Sequence, residues 1–339
     1  MPQSPRERPI NGNYRAWPNL GAYRDDARNA RVQLHLIRDP GRIAAGIRLF
    51  SAIRDEFDML PAFLEHYRKL GVCSFVIVDN GSSDGSREFL LDQPDVVLYD
   101  TDASYAEANA GSLWIDALIG EQAQDAWLVY ADADELLVYD QCDRHPLPAL
   151  AERLEALGEA KLLAPLLDTY GDPDAPDSLL FDALPEQSHR TGGGPHIVGG
   201  PRHRMAVAIG GAEPPCLTKY PFVRYGPRSS FINVHFPEPG GENGYRIRGR
   251  LLHLKLAARF RAKVAVALRE GQHWNDGSEY RGYAKWLEGR DTGDLVIPES
   301  RRYTGPSDLI DAGLLEPLGW GRSNTSLRIG RALLGWRRR

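Results

Sequence analysis

The sequence predicts an α/β fold with a mostly parallel central sheet flanked by helices. Three observations carry that expectation. Between residues 45 and 140, short β-rich apolar runs alternate with helix-forming stretches in the order β, α, β, α, β, α, β. Polar clusters stand directly after three of those runs, where parallel sheets gather ligands. Beyond residue 140 the texture changes and Gly and Pro multiply, which marks a loop-rich half.

Residues 1 to about 30 are rich in Pro, Asn, Gly and Arg and read as an irregular arm. "VQLHLI" (32–37) is a short strand stopped by "DPG", and "GIRLFSAI" (46–53) is the first strand of the regular series. A helix follows, with Leu60, Phe63, Leu64, Tyr67 and Leu70 on one face, Asp58 as its cap and Gly71 as its stop. "SFVIV" (74–78) is a buried strand, "DNGSSDG" a turn, and "SREFLLDQ" (86–93) a helix capped by Ser86. "VVLY" (96–99) is a strand, residues 105–122 form a longer helix, and "WLVYA" (127–131) is the fourth strand of the series. Then come an amphipathic helix at 147–158, a strand at 160–167, and loops around short strands from 168 to about 250. "LLHLKLAARFRAKVAVAL" (251–268) returns to a strand and a helix, and "GYAKWLEG" is a shorter helix.

The chain has 339 residues, 42% of them hydrophobic and 26% charged, which fits a globular protein. A formal net charge of -5 argues against a nucleic-acid binder. Cys73, Cys142 and Cys216 have no metal-type spacing, so they read as packing residues in a reducing compartment. No secretory h-region and no window of ~18 apolar residues appears, so the expected location is cytoplasmic. The basic tail "SLRIGRALLGWRRR" reads as a solvated end or as a peripheral contact with an anionic membrane face.

"WLVYADADELLVYD" (127–140) holds the main chemical signal. In an extended segment Asp132 and Asp134 point to one side, so they can share one hard cation such as Mg²⁺ or Mn²⁺. The alternative is a solvated turn. Asp79 ends the strand "SFVIV", where its carboxylate either binds a ribose or base, or starts an Asx-turn. Arg54 and Glu56 follow the first strand, as nucleotide contacts or as a surface pair.

The motif series of a strand followed by "RDE", then "HYRKLGV", "VDNGSSDGS" and the DxD strand resembles the nucleotide-sugar-binding half of GT-A-fold, family-2-like bacterial glycosyltransferases, a DUF23-like group. The likeness is dense over 46–140 and loose over 190–268. It implies one GT-A domain over 45–270, with a nucleotide-sugar half (45–140) and an acceptor half (141–270). Residues 1–44 precede it and 271–339 extend it.

The resemblance places Arg54, Glu56, Asp79, Asp132 and Lys255 around a nucleoside-diphosphate sugar, with UDP the expected nucleotide. Asp132, Asp134 and His253 become the ligands of Mn²⁺ or Mg²⁺. "GGPRHR" matches a family segment, so Arg202 and Arg204 face the diphosphate or an anionic acceptor; otherwise they form a solvated loop. The general base is left among Asp168, Asp172 and Glu213, and His235 is placed on the acceptor side. The implied activity is inverting sugar transfer to a polysaccharide or glycolipid hydroxyl. The alternatives are a nucleotidyltransferase, or an inactive nucleotide- or glycan-binding module on the same fold.

Overall fold

The computed structural model describes residues 19–321 apart from 42–44, 124, 173–174, 192–193, 211–213, 233–234, 239–245, 257–259 and 271–273. The elements run in order α1 (Leu20–Arg31), β1 (His35–Arg38), β2 (Arg48–Ile53), α2 (Leu60–Lys69), β3 (Ser74–Asp79), α3 (Ser86–Leu91), β4 (Val96–Asp100), α4 (Ser112–Gln122), β5 (Ala126–Tyr130) and β6 (Glu135–Tyr139). They continue with α5 (Leu147–Ala156), β7 (Lys161–Leu162), β8 (Leu166–Asp172), β9 (Ala175–Asp182), β10 (Gln187–Thr191), β11 (Gly194–Val198), α6 (Gly200–Ala208), β12 (Phe222–Tyr225), β13 (Ser230–Phe231) and β14 (Pro237–Glu238). The last are β15 (Gly249–Leu256), α7 (Phe260–Glu270), α8 (Trp274–Trp286), β16 (Ser300–Tyr303) and α9 (Pro306–Asp311).

A seven-stranded sheet has the order β1-β4-β3-β2-β5-β12-β7. Its four central strands, β4, β3, β2 and β5, are parallel, and the antiparallel pairings lie outside them. This is the Rossmann-like α/β arrangement that the alternation implied. The strand order reverses between β2 and β5, so the ligand crevice of such a sheet falls beyond Ile53 and Tyr130. Burial explains the composition of the middle strand: all six residues of β3 are buried, and it reads as a continuous apolar run.

A second, five-stranded sheet has the order β16-β9-β8-β15-β6. The chain passes from the first sheet into the second across the four residues between β5 and β6, which are the DxD loop. The two layers therefore meet where the acids stand.

Several local expectations are corrected. Residues 20–31 form a helix, capped by the Asn19 side chain accepting from the Ala22 N–H, where an irregular arm was expected. Helix α2 buries the expected face, and Gly71 ends it at φ +91, but Asp58 does not cap it: Met59 occupies that position with no side-chain cap. The helix expected from 105 begins only at Ser112. Asn109, Ala110 and Gly111 hold φ of 54, 55 and 76, left-handed values that no helix accommodates. Ser86 is not a cap either; Gly85 holds that position, and the Ser86 hydroxyl accepts from the Glu56 N–H. The strand expected at 160–167 is split between two sheets, β7 in the first and β8 in the second. "GGPRHR" is helical, and "GYAKWLEG" belongs to the longer α8. Among the described residues no helix is long and apolar enough to cross a membrane. The basic tail lies outside the described residues.

Candidate active site

The DxD loop is a tight turn fixed from three directions. The Glu135 N–H donates to the Asp132 carbonyl at 3.0 Å, and the Asp132 N–H donates to the Glu135 carboxylate at 3.2 Å. Leu254 of β15 donates its N–H to the Asp134 carbonyl at 2.8 Å. Tyr67 of α2 clamps the start of β6, donating to the Glu135 carbonyl at 3.0 Å and accepting from the Leu137 N–H at 3.2 Å. Because the segment turns instead of extending, strand alternation does not set the directions of Asp132 and Asp134.

Asp132 turns to Lys219. The Lys219 ammonium stands 2.9 Å from Asp132 Oδ2 and 2.7 Å from Glu135 Oε1, and is almost wholly buried. Burial pushes the Glu135 carboxyl up to about 8; Lys219 pulls against this, and Asp132 and Asp134 add to it. Burial works against the charge on Lys219, but Asp132 and Glu135 overrule it and hold the ammonium protonated.

Asp134 turns to the second sheet. Its Oδ2 lies 3.7 Å from His253 Nε2, while His253 Nδ1 donates to Asp168 Oδ1 at 2.7 Å. Register builds this row: His253 of β15 pairs with Glu135 of β6 on one side and Asp168 of β8 on the other. Residues opposite one another share a sheet face, so the pairing presents the imidazole to Asp168, while Asp134 approaches it from the loop before β6. Burial alone would raise Asp134, yet His253, Lys263, Lys255 and Lys219 lower its carboxyl to about 2.

Behind His253 the charges form a chain. Arg202 of α6 donates Nε–H to both Asp168 oxygens, at 2.8 and 2.7 Å, and Nη1–H to Glu279 of α8 at 3.2 Å. Arg202 Nη2 is buried with no hydrogen-bond partner. Despite complete burial, Arg202 and His253 hold the Asp168 carboxyl far below the usual range. Lys255 lies 3.6 Å from Glu279 and over the rings of Tyr280 and Tyr283. Burial opposes the Glu279 charge, but Lys255 and Arg202 bring it down to about 2.

On the first-sheet side, Glu56 accepts from Lys263 of α7 at 2.8 and 2.7 Å. Burial raises the Glu56 carboxyl to about 7; Lys263 opposes the rise, while Asp134 and Asp132 add to it. Arg54 is part-exposed, 3.9 Å from Asp55. Asp79 is fully buried: its Oδ1 accepts from the Ser82 N–H at 3.0 Å, and its Oδ2 from Arg87 Nε at 2.8 Å. The carboxylate thus closes the turn after β3, as the turn alternative had it, but from the N–H three residues on and not two as in an Asx-turn.

The expected site residues separate into those brought together and those that are not. Glu56, Asp132, Asp134, Asp168, Arg202, His253 and Lys255 converge. Arg204 instead forms a fork with Asp182, at 2.9 and 3.0 Å, that ties α6 to β9. Asp172 sits at the end of β8, and Glu213 lies outside the described residues. Lys219, Lys263, Glu279, Tyr280 and Tyr283 were missed. The one sequence signal for Lys219 was a lone charge inside the apolar run "CLTKYPF".

One arrangement here suits a divalent cation. The 3.7 Å between His253 Nε2 and Asp134 Oδ2 is too long for a hydrogen bond, and the Asp168 contact fixes the ring as it does for metal-ligating histidines. Among the described residues no three His, Cys, Asp or Glu side chains gather as a metal cage. Two protein ligands fit the habit of Mg²⁺-like ions, which take the rest from water and substrate phosphates.

No family model matches the chain, and no curated protein matches it. Among solved structures the chain is similar to the inositol-1-phosphate CTP transferase from T. maritima, at 12% identity over 83% of this chain and 100% of that chain, with a TM-score of 0.25. A score that low carries no argument about chemistry.

Proposed function

We propose that the chain is a metal-dependent glycosyltransferase that takes a sugar from a nucleoside diphosphate, with UDP the first nucleotide to test. One observation carries the reading: Asp134 and the Asp168-oriented His253 face each other at the switch point of the parallel sheet, ringed by Lys219, Lys255 and Lys263.

In this reading Asp134 and His253 would hold Mn²⁺ or Mg²⁺, and the cation would supply charge neutralisation for a departing diphosphate. Asp132 is presented by Lys219 toward the ribose and the diphosphate. Lys255 and the spare Nη2–H donor of Arg202 offer charge and hydrogen bonds to phosphate oxygens. Asp168 keeps His253 in one tautomer and balances Arg202, so it acts as a positioning residue. Glu56, paired with Lys263, lines the nucleotide side. The acceptor is a glycan or glycolipid hydroxyl.

The test is a screen of UDP-, GDP- and dTDP-sugars for donor turnover, with and without Mn²⁺. Release of the nucleoside diphosphate that stops with EDTA and returns with Mn²⁺ supports the proposal. Release of pyrophosphate from a nucleoside triphosphate points to a nucleotidyltransferase. Metal-dependent UDP binding without turnover points to a binding module.

A further inference from the structure

We propose that a cleft between α1 and α4 is a binding site for a phosphate ester, independent of the candidate active site. The cleft holds about 560 Å³, within the range of ordinary ligand pockets, and its charged lining is Arg24, Arg28, Arg31, Asp116 and Glu121. It lies at the other end of the first sheet from the DxD loop. Tyr225, which lines it, pairs with Ala126 at the start of β5, whereas Tyr130 at the end of β5 leads into the DxD loop. At ~3.3 Å per residue, that is roughly 13 Å of strand.

Helix spacing builds the cleft. Arg24, Arg28 and Arg31 fall at i, i+4 and i+7 of α1, so they share one helix face. The rest of the two helices' lining is small: Ala27 on α1, Ala117 and Gly120 on α4. A Cβ built on Gly120 would meet nothing within 4 Å, so the space is open there. Two sets of contacts tie α1 to the other walls. Arg31 donates Nε–H to both Glu121 oxygens, at 3.0 and 2.9 Å. Arg24 donates to the Ser230 hydroxyl at 3.1 Å and the Ser229 carbonyl at 3.0 Å, between β12 and the end of β13.

The charges of the lining do not cancel. Arg31 is matched by Glu121, but Arg24 bonds only neutral oxygens. Asp116 is engaged elsewhere: it accepts from the Tyr225 hydroxyl at 2.8 Å and from the Phe231 N–H at 2.7 Å. Burial raises its carboxyl to about 6, against those hydrogen bonds and the pull of Arg24. Arg28 pairs with Asp25, yet both side chains are largely exposed, at 72% and 63%, so an incoming anion displaces that contact at little cost. Among the described residues, no buried carboxylate bonds either Arg24 or Arg28.

That chemistry selects the ligand. A guanidinium carries five donors in a planar fork, and Arg24 and Arg28 each use only part of theirs. Two forks one helical turn apart match the several oxygens of a phosphate better than the two of a carboxylate. The volume far exceeds a bare phosphate, so an attached body lies along Tyr225 and Pro227, which also line the cleft. A soluble phosphate ester and a phospholipid headgroup share this chemistry.

The experiment separates the two sources. Calorimetry on the full chain, without divalent metal and at fixed ionic strength, uses glycerol 3-phosphate and acetate as soluble probes. Flotation with vesicles of phosphatidylcholine and phosphatidate, against phosphatidylcholine alone, is the lipid arm. Each is run on wild type, Arg28→Gln and Arg24→Gln. The expected result is that glycerol 3-phosphate or the phosphatidate vesicle binds wild type, that acetate does not, and that each variant binds at least roughly tenfold more weakly. Binding of glycerol 3-phosphate identifies a soluble ester; binding of the phosphatidate vesicle alone identifies a lipid headgroup. Binding of neither phosphate probe overturns the proposal, as does equal binding of acetate or binding that either variant leaves unchanged. Arg24→Gln disturbs two hydrogen bonds that hold α1. Should it fail to fold, Arg28→Gln decides, because its side chain is exposed and its pair with Asp25 stabilises little. No readout involves UDP or Mn²⁺, so failure of the transferase reading leaves this proposal standing, and the reverse holds too.

Discussion

Asp79 and Asp134 look alike in the sequence, each an acid just beyond an apolar strand, yet they occupy opposite kinds of environment. Asp79 is closed by its own neighbourhood: Ser82 and Arg87 lie three and eight residues away and take both oxygens. Asp134 draws its surroundings from far along the chain, with His253 on β15, Lys263 on α7 and Lys219 before β12. Its facing imidazole stands at 3.7 Å, beyond hydrogen-bonding reach. A carboxylate satisfied locally stabilises a turn. One surrounded by remote cations but not fully bonded is poised for a ligand.

The largest expected effect separates the two directly. Asp134→Ala lowers metal-dependent turnover roughly a thousandfold, because the charge holding the cation is gone. Its unfolding midpoint in urea falls modestly, because the cations that hold the Asp134 carboxyl down at about 2 lose a counter-charge, a loss of up to about 2 kcal/mol. Turnover within tenfold of wild type would place the chemistry elsewhere.

Asp168→Asn comes next and joins both behaviours. It strips the counter-charge from a buried Arg202 and releases His253. The expected cost is about 3–5 kcal/mol in chemical denaturation, with Mn²⁺ affinity lower by roughly 10–100-fold. A stable variant with unchanged Mn²⁺ affinity contradicts the orienting role.

Asp79→Ala is expected to cost about 1.5–3 kcal/mol, the value of hydrogen bonds to a charged group. Mn²⁺ affinity is unaffected. If calorimetry finds Mn²⁺ binding weakened as much as in Asp134→Ala, the contrast between the two acids collapses.

The smallest effect is in pH dependence. Glu56 is raised from the ordinary 4.5 to about 7 in the fold, so the folded chain binds its proton more tightly. Its stabilising contribution is therefore complete below the unfolded pKa and is lost as pH rises through about 7. Between these limits wild type loses about 1–2 kcal/mol relative to Glu56→Gln, since solvent screens the part-exposed pair with Lys263. Urea midpoints of both proteins at the two ends of that window check it. Parallel curves would mean that Lys263 cancels the shift.

The first sheet was legible because its central strands are short, β-rich and mostly buried, and their order follows from simple alternation. Register was not: nothing local in "LLHLK" tells that His253 falls beside both Glu135 and Asp168. The bend at the DxD loop was also hidden, since it depends on the Glu135 side chain reaching back to Asp132. Arg202 and Arg204 read as one basic pair, but the helix sends them to different acids, Asp168 and Asp182. Lys219 and Glu279 gave weak signals because their partners lie on other segments. Long-range pairing, not residue type, decided which charges became the site.

The central claim is that Asp134 and His253 hold a cation that in turn holds a diphosphate. Calorimetric titration of UDP into wild type, Asp134→Ala and His253→Ala, each with and without Mn²⁺, tests it most directly. The account predicts that UDP binds wild type only when Mn²⁺ is present, and that Mn²⁺ gives neither variant a comparable gain. Equal UDP affinity with and without Mn²⁺, or an undiminished Mn²⁺ effect in both variants, would contradict it.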